Sequence, residues 1–154
     1  MDIWQYDPPL DVWTLKANFP ANVPTPFYLV GFSPDSRFGF VAGGAAIPSG
    51  GIDLSEVVFW RYDPASDSWM QMHNIPDPGM LFPSAMVLNG TAYVLGGGQD
   101  CWKYDQPSDT WTQVAFFGYR LAGSAFAING TGYFGMGEQR FSNLPYIDLW
   151  QYTP

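Results

Sequence analysis

Short runs in which apolar and polar residues alternate fill the chain, and Gly or Pro interrupts every run before it reaches the length of a long helix. In "WQYD", "WRYD" and "WKYD" the Trp and Tyr stand two apart, so on an extended strand both rings face the same way. The alternation then stops at Asp-Pro, or Asp-Gln-Pro in the third case, and resumes at "DVW", "DSW" and "DTW". Three β-hairpins are predicted, Trp4 to Trp13, Trp60 to Trp69 and Trp102 to Trp111, with the two Trp nine positions apart in each.

A second pattern lies between these phrases. Residues 84–98, "SAMVLNGTAYVLGGG", and 123–137, "GSAFAINGTGYFGMG", share one order: a small-apolar strand, an Asn-Gly turn, then an aromatic-apolar strand ending in glycine. Asn-Gly is a strong hairpin signal because both central residues of a type I′ turn need positive φ. The stretch 28–44, "YLVGFSPDSRFGFVAGG", is a looser copy that turns at Pro-Asp-Ser. Each period therefore holds two hairpins and four strands. From Trp4 to Trp60, Trp102 and Trp150 the periods are 56, 42 and 48 residues, and "DLWQYTP" at 148–154 begins the phrase again.

Four short strands per period is the mark of radially repeated sheets. The chain resembles the kelch repeat family. "YVLGG" at 93–97 is similar to that family's double-glycine strand end, and "VFWRYDPASDSW" to its Tyr and Trp strands. "DIWQYDPPLDVWTLKANFP" is most similar to repeats of the galactose oxidase-like type found in bacterial secreted and surface proteins. The resemblance runs from Asp2 to Pro154, and departs from the family at its innermost-strand arginine, matched only by Arg120 while Pro83 or Phe82 and the "TPFY" region (25–28) stand in for it elsewhere.

The resemblance implies an all-β fold of propeller blades, each of four antiparallel strands, three blades in one domain spanning 1–154. The outer strands of a first blade fall at 2–16, complete blades at 27–72 and 82–114, and inner strands with the start of the next outer strand at 120–154. Trp4, Tyr6, Trp13, Trp60, Tyr62, Trp69, Trp102, Tyr104, Trp111, Trp150 and Tyr152 are then framework residues, with Gly43, Gly44, Gly96 and Gly97 as strand-end glycines. Three blades do not close a ring. The expectation is half of a six-bladed propeller completed by a second chain, or an excerpt of a longer array. In a homodimer Asp148–Tyr152 and the partner copy's equivalent of Asp2–Tyr6 would compete for one strand position.

Composition narrows the function. The net charge is −8, yet twelve of the fourteen acids are Asp, and six of them (Asp7, Asp11, Asp63, Asp67, Asp105, Asp109) lie in the repeated phrase, where short carboxylates cap turns. Six Lys and Arg make no phosphate-tracking patch, so nucleic acid is not an expected partner. No apolar run approaches the length of a membrane span, and "MDIWQYD" lacks the basic region and apolar core of a signal peptide. "NGT" at Asn89 and Asn129 matches a glycosylation sequon, but the turn accounts for both residues.

Galactose oxidase-type copper chemistry would need two His and two Tyr, one of them joined to Cys. This chain has one His, His73, and one Cys, Cys101, which reads as a small buried filler. No cofactor, metal site or catalytic residue is expected; a sugar epimerase of kelch form is the enzymatic alternative. The favoured reading is a non-catalytic binding module in an extracellular or cell-surface setting, its variable connections (16–26, 45–56, 74–83, 98–100, 116–119 and 138–147) gathered on one face toward a protein partner or a carbohydrate. The candidate ligand-binding residues are Phe19, Met80, Phe82, Phe117, Tyr119, Arg120, Arg140, Phe141 and Tyr146.

Overall fold

A computed structural model describes residues 2–20, 26–46, 57–77, 80–96, 100–116, 118, 120–139, 142 and 144–154. Those residues form an all-β protein, and the repeated patterns become repeated sheets. The first phrase makes an isolated hairpin, β1 (Trp4–Asp7) with β2 (Val12–Leu15). A four-stranded antiparallel sheet follows, β3 (Pro26–Phe32), β4 (Gly39–Ala46), β5 (Val58–Asp63) and β6 (Ser68–Gln71) in chain order. Another repeats it as β7 (Ser84–Leu88), β8 (Thr91–Leu95), β9 (Asp100–Asp105) and β10 (Thr110–Phe116). Beyond these come β11 (Arg120–Leu121), β12 (Ser124–Ile128), β13 (Thr131–Gly135), β14 (Glu138–Gln139) and β15 (Leu149–Tyr152). Strands β12, β13 and β15 form a three-stranded sheet, and β11 pairs with β14.

Local chemistry explains the turns. Asn89 and Gly90 have φ of 51° and 78°, and Asn129 and Gly130 have φ of 50° and 76°, the positive pair that a type I′ hairpin demands. At the looser copy Asp35 replaces that device, its Oδ1 accepting the backbone N–H groups of Arg37 (2.8 Å) and Phe38 (3.0 Å). Those donors hold the Asp35 carboxyl below its ordinary range.

The sheets stack through their faces. Between the two four-stranded sheets, Phe40 and Phe59 meet Val94, Trp102 and Tyr104, with Phe59 fully buried and its ring 4.8 Å from that of Tyr104. Between the second and the three-stranded sheet, Met86, Leu88, Tyr93 and Cys101 meet Phe134 and Tyr152. Burial pushes the Cys101 thiol up to about 12, which suits a packing residue. The first strands of successive sheets also lie against one another, β3 against β7 and β7 against β12.

The second Asp of each phrase does more than cap a turn. Asp11, Asp67 and Asp109 all sit at positive φ, and each accepts the hydroxyl of the phrase's Tyr: Tyr6 at 2.8 Å, Tyr62 at 2.6 Å, Tyr104 at 2.9 Å. Asp67 also accepts the N–H of Ala17 (2.9 Å), whose carbonyl receives the Trp69 indole N–H (3.0 Å). The same pair of bonds recurs one sheet on, with Asp109 accepting the N–H of His73 and Trp111 donating to the His73 carbonyl (2.8 Å). Ala17 and His73 each lie four residues past the second Trp of the preceding phrase, so Asp and Trp together clasp each four-stranded sheet to the segment that leaves the hairpin before it. Removing the clasp should be costly where it is buried. Asp109→Ala strands the buried Tyr104 hydroxyl and should lower stability by about 1–3 kcal/mol, measured by denaturant unfolding. Adding Tyr104→Phe should recover part of that loss, and a purely additive double variant would refute the coupling.

Candidate functional site

In consecutive antiparallel hairpins all the tight turns lie at one end of the sheets, and all the longer connections at the other. At the connection end a backbone irregularity recurs. Tyr28, Phe82 and Ala122 have φ of 60°, 50° and 52°, each two residues before Val30, Ser84 and Ser124 of strands β3, β7 and β12. Non-glycine residues in this region store strain, which clusters where side chains must be aimed. Glycine makes the bend possible from the facing side. A Cβ at Gly43 (φ 96°) or Gly96 (φ 132°) would fall within 3 Å of Pro83, so these strand ends accept the incoming segment only without a side chain.

The bends place an aromatic group at the mouth of the inner strands. Tyr28 is 38% exposed, its ring centroid 4.0 Å from that of half-buried Phe82, and exposed Phe27 lies beside it. Among the nine residues singled out in the sequence, Phe82 stands here; Phe27 and Tyr28 were not singled out. Their signal was the "TPFY" segment, whose Tyr28 stands two residues before Val30 as Phe82 stands two before Ser84 one period later.

Elsewhere the expectation of exposure fails. Phe19 is buried, packed edge-on against Trp60 (5.4 Å) and Trp69 (5.1 Å), because the segment leaving β2 folds back over the face of the next sheet. Met80 is buried in the core between the two four-stranded sheets. Arg120 is only 2% exposed, and both of its terminal nitrogens are bonded within the protein, while its buried Nε has no hydrogen-bond partner. Its guanidinium donates to both carboxylate oxygens of Asp148 (2.7 and 2.9 Å) and to the Met136 carbonyl, and lies 3.9 Å over the Tyr146 ring. The Arg120 bond holds the Asp148 carboxyl below the usual range. Arg120 and half-buried Tyr146 thus form a structural knot at the connection end. Phe117, Tyr119, Arg140 and Phe141, with Gly97, lie outside the described residues.

The turn end carries a feature that sequence reading missed. An open polar groove of ≈ 490 Å³ runs between the two four-stranded sheets, lined by Asp35, Arg61, Lys103, Asp105 and Gln106 among others, and Gln106 donates to Asp35 across it (3.2 Å). Two cations and two carboxylates face one another there, a balance that two separate sheets supply and no single stretch announces. His73, at the edge of its sheet, spends Nδ1 on Asp109 (2.8 Å). Among the described residues no group of three His, Cys, Asp or Glu is placed to hold a metal ion, and no helix is long and apolar enough to cross a membrane.

No protein-family model matches the chain, and no curated protein matches it.

Proposed function

We propose that this chain is a non-catalytic binding module of the kelch-propeller kind, which presents the connection end of its sheets to a protein partner. One observation carries the reading: the strained bends at Tyr28 and Phe82 hold an exposed Tyr ring against a half-buried Phe ring at the mouth of inner strands that lie side by side. A rigid scaffold with strained, outward aromatic residues on its connections is how binding surfaces are commonly built. The resemblance of the repeated phrases to kelch repeats supports the same architecture, as does the contact of β3 with β7 and of β7 with β12. The flat faces of Phe27, Tyr28 and Phe82 also suit a sugar ring, so a carbohydrate is the second ligand class. The setting favoured is extracellular or the cell surface.

The test is a screen of the purified chain against displayed peptides and arrayed glycans, followed by titration of the best ligand with wild type and with Tyr28→Ala/Phe82→Ala. The double variant should bind at least ~10-fold more weakly, the size of effect expected for losing central aromatic contacts, while its circular dichroism is unchanged. Binding indifferent to both rings sinks the reading. So does a bound sugar returned as its epimer, which would make the chain an enzyme.

A further inference from the structure

The hairpin β1–β2 and the strand β15 are two versions of one element. "DIWQY" (2–6) and "DLWQY" (148–152) differ only at Ile3 and Leu149, and both are held in the same local shape, the indole N–H of Trp4 donating to Asp2 (2.8 Å) and that of Trp150 to Asp148 (2.9 Å). Their surroundings differ. Among the described residues strand β15 pairs with β13 and forms an edge of a three-stranded sheet, with Trp150 52% exposed. Strand β1 pairs with β2 alone, so Trp4 is 50% exposed where its counterparts Trp60 and Trp102 are 7% and 9%. Among the described residues, one sheet has three strands where its neighbours have four, and one hairpin stands as a sheet of two.

From this complementarity we infer that a second copy of this chain donates its β1–β2 hairpin to β13, replacing β15. The inference rests on the propeller reading above and specifies how two copies join. Three features select this occupant. Asp2 of the incoming hairpin carries the carboxylate that buried Arg120 requires, in the place Asp148 now fills. Tyr6 takes the place of Tyr152 against Tyr93, a ring contact of 5.5 Å. And β2 brings what β15 cannot: a fourth strand, with Asp11 and Trp13, the clasp pair that in the other sheets binds backbone four residues past the preceding Trp, here Ala115 after Trp111. The exchange also covers the open face of the three-stranded sheet, where Phe126 and Ile128 are exposed, against the partner copy's next sheet.

Two measurements on the 154-residue chain decide the matter. Light scattering over a dilution series should give twice the 17.1 kDa monomer mass. Tyr6→Asp, which would bury a charge at the Tyr93 contact, should weaken the dimer at least 100-fold, whereas Tyr152→Asp, which expels β15, should leave it as tight or tighter. In the second measurement Gln5→Cys and Tyr133→Cys are combined, because Tyr133 faces Gln151, the counterpart of Gln5, across the ladder. Mild oxidation should yield a disulfide-linked dimer. A monomer at every concentration, a dimer indifferent to Tyr6→Asp, or no cross-link overturns the exchange. A monomer that still binds through Tyr28 and Phe82 would overturn it while leaving the binding reading standing.

Discussion

Phe59→Ala is expected to cost about 3–5 kcal/mol, which would consume much of the stability of a domain this size. Phe59 is fully buried, and its ring meets Phe40 of its own sheet at 5.6 Å and, across the junction of the four-stranded sheets, Tyr104 at 4.8 Å and Trp111 at 4.9 Å. These neighbours come from β4, β9 and β10. They are fixed by hydrogen-bonded ladders on both sides and cannot collapse into the hole, so the transfer loss and the cavity cost add. Phe59→Leu keeps most of the volume and should cost markedly less, about 1–2 kcal/mol. Chemical denaturation of the two variants beside wild type checks the pair. Similar losses for both would mean that the junction adapts and that the sheets are not rigidly stacked.

That junction shows what was readable in the chain and what was not. The hairpins could be read because their signals are local: Trp and Tyr two apart fix a common face, and Asn89-Gly90 and Asn129-Gly130 supply the positive φ pair within two residues. The clasp could not be read, because a second Asp looks the same whether it caps its own turn or binds Ala17 or His73 in another sheet. The spacing from Trp13 to Ala17 and from Trp69 to His73 holds that information, but only once the sheets are known to be neighbours. Phe19 and Met80 were misjudged for a related reason. A connection rich in Pro and Gly reads as a solvent-facing loop, yet both segments return across a sheet face, and an aromatic or Met side chain there has apolar surface to cover. Arg120 and Asp148 lie 28 positions apart, with no periodicity to join them. The bends at Tyr28 and Phe82 were hidden differently: neither is a residue type that advertises positive φ, and the glycines that make room for them belong to other strands.

Arg120→Ala is the other large effect, expected at about 2–4 kcal/mol. A buried guanidinium is costly to desolvate, and here a bidentate carboxylate, the Met136 carbonyl and the Tyr146 ring offset that cost from three sides, although Nε stays without a partner. Truncation removes all three contacts and leaves a void against Phe134, whose ring lies 5.4 Å from the guanidinium carbon. Arg120→Lys keeps the charge but not the planar fork, and should fall between the alanine variant and wild type. Acid separates the ion pair from simple packing. The Asp148 carboxyl is held below its ordinary range in the folded protein, so its contribution is present above the unfolded-state value, near 4, and is lost as pH falls through the lower folded value. Wild type should therefore lose stability on going from pH 5 to pH 2.5 more steeply than Arg120→Ala, in which no guanidinium favours the ionised carboxylate. Urea midpoints measured for both proteins across that range decide it. Parallel curves would show that Arg120 acts through its bulk alone.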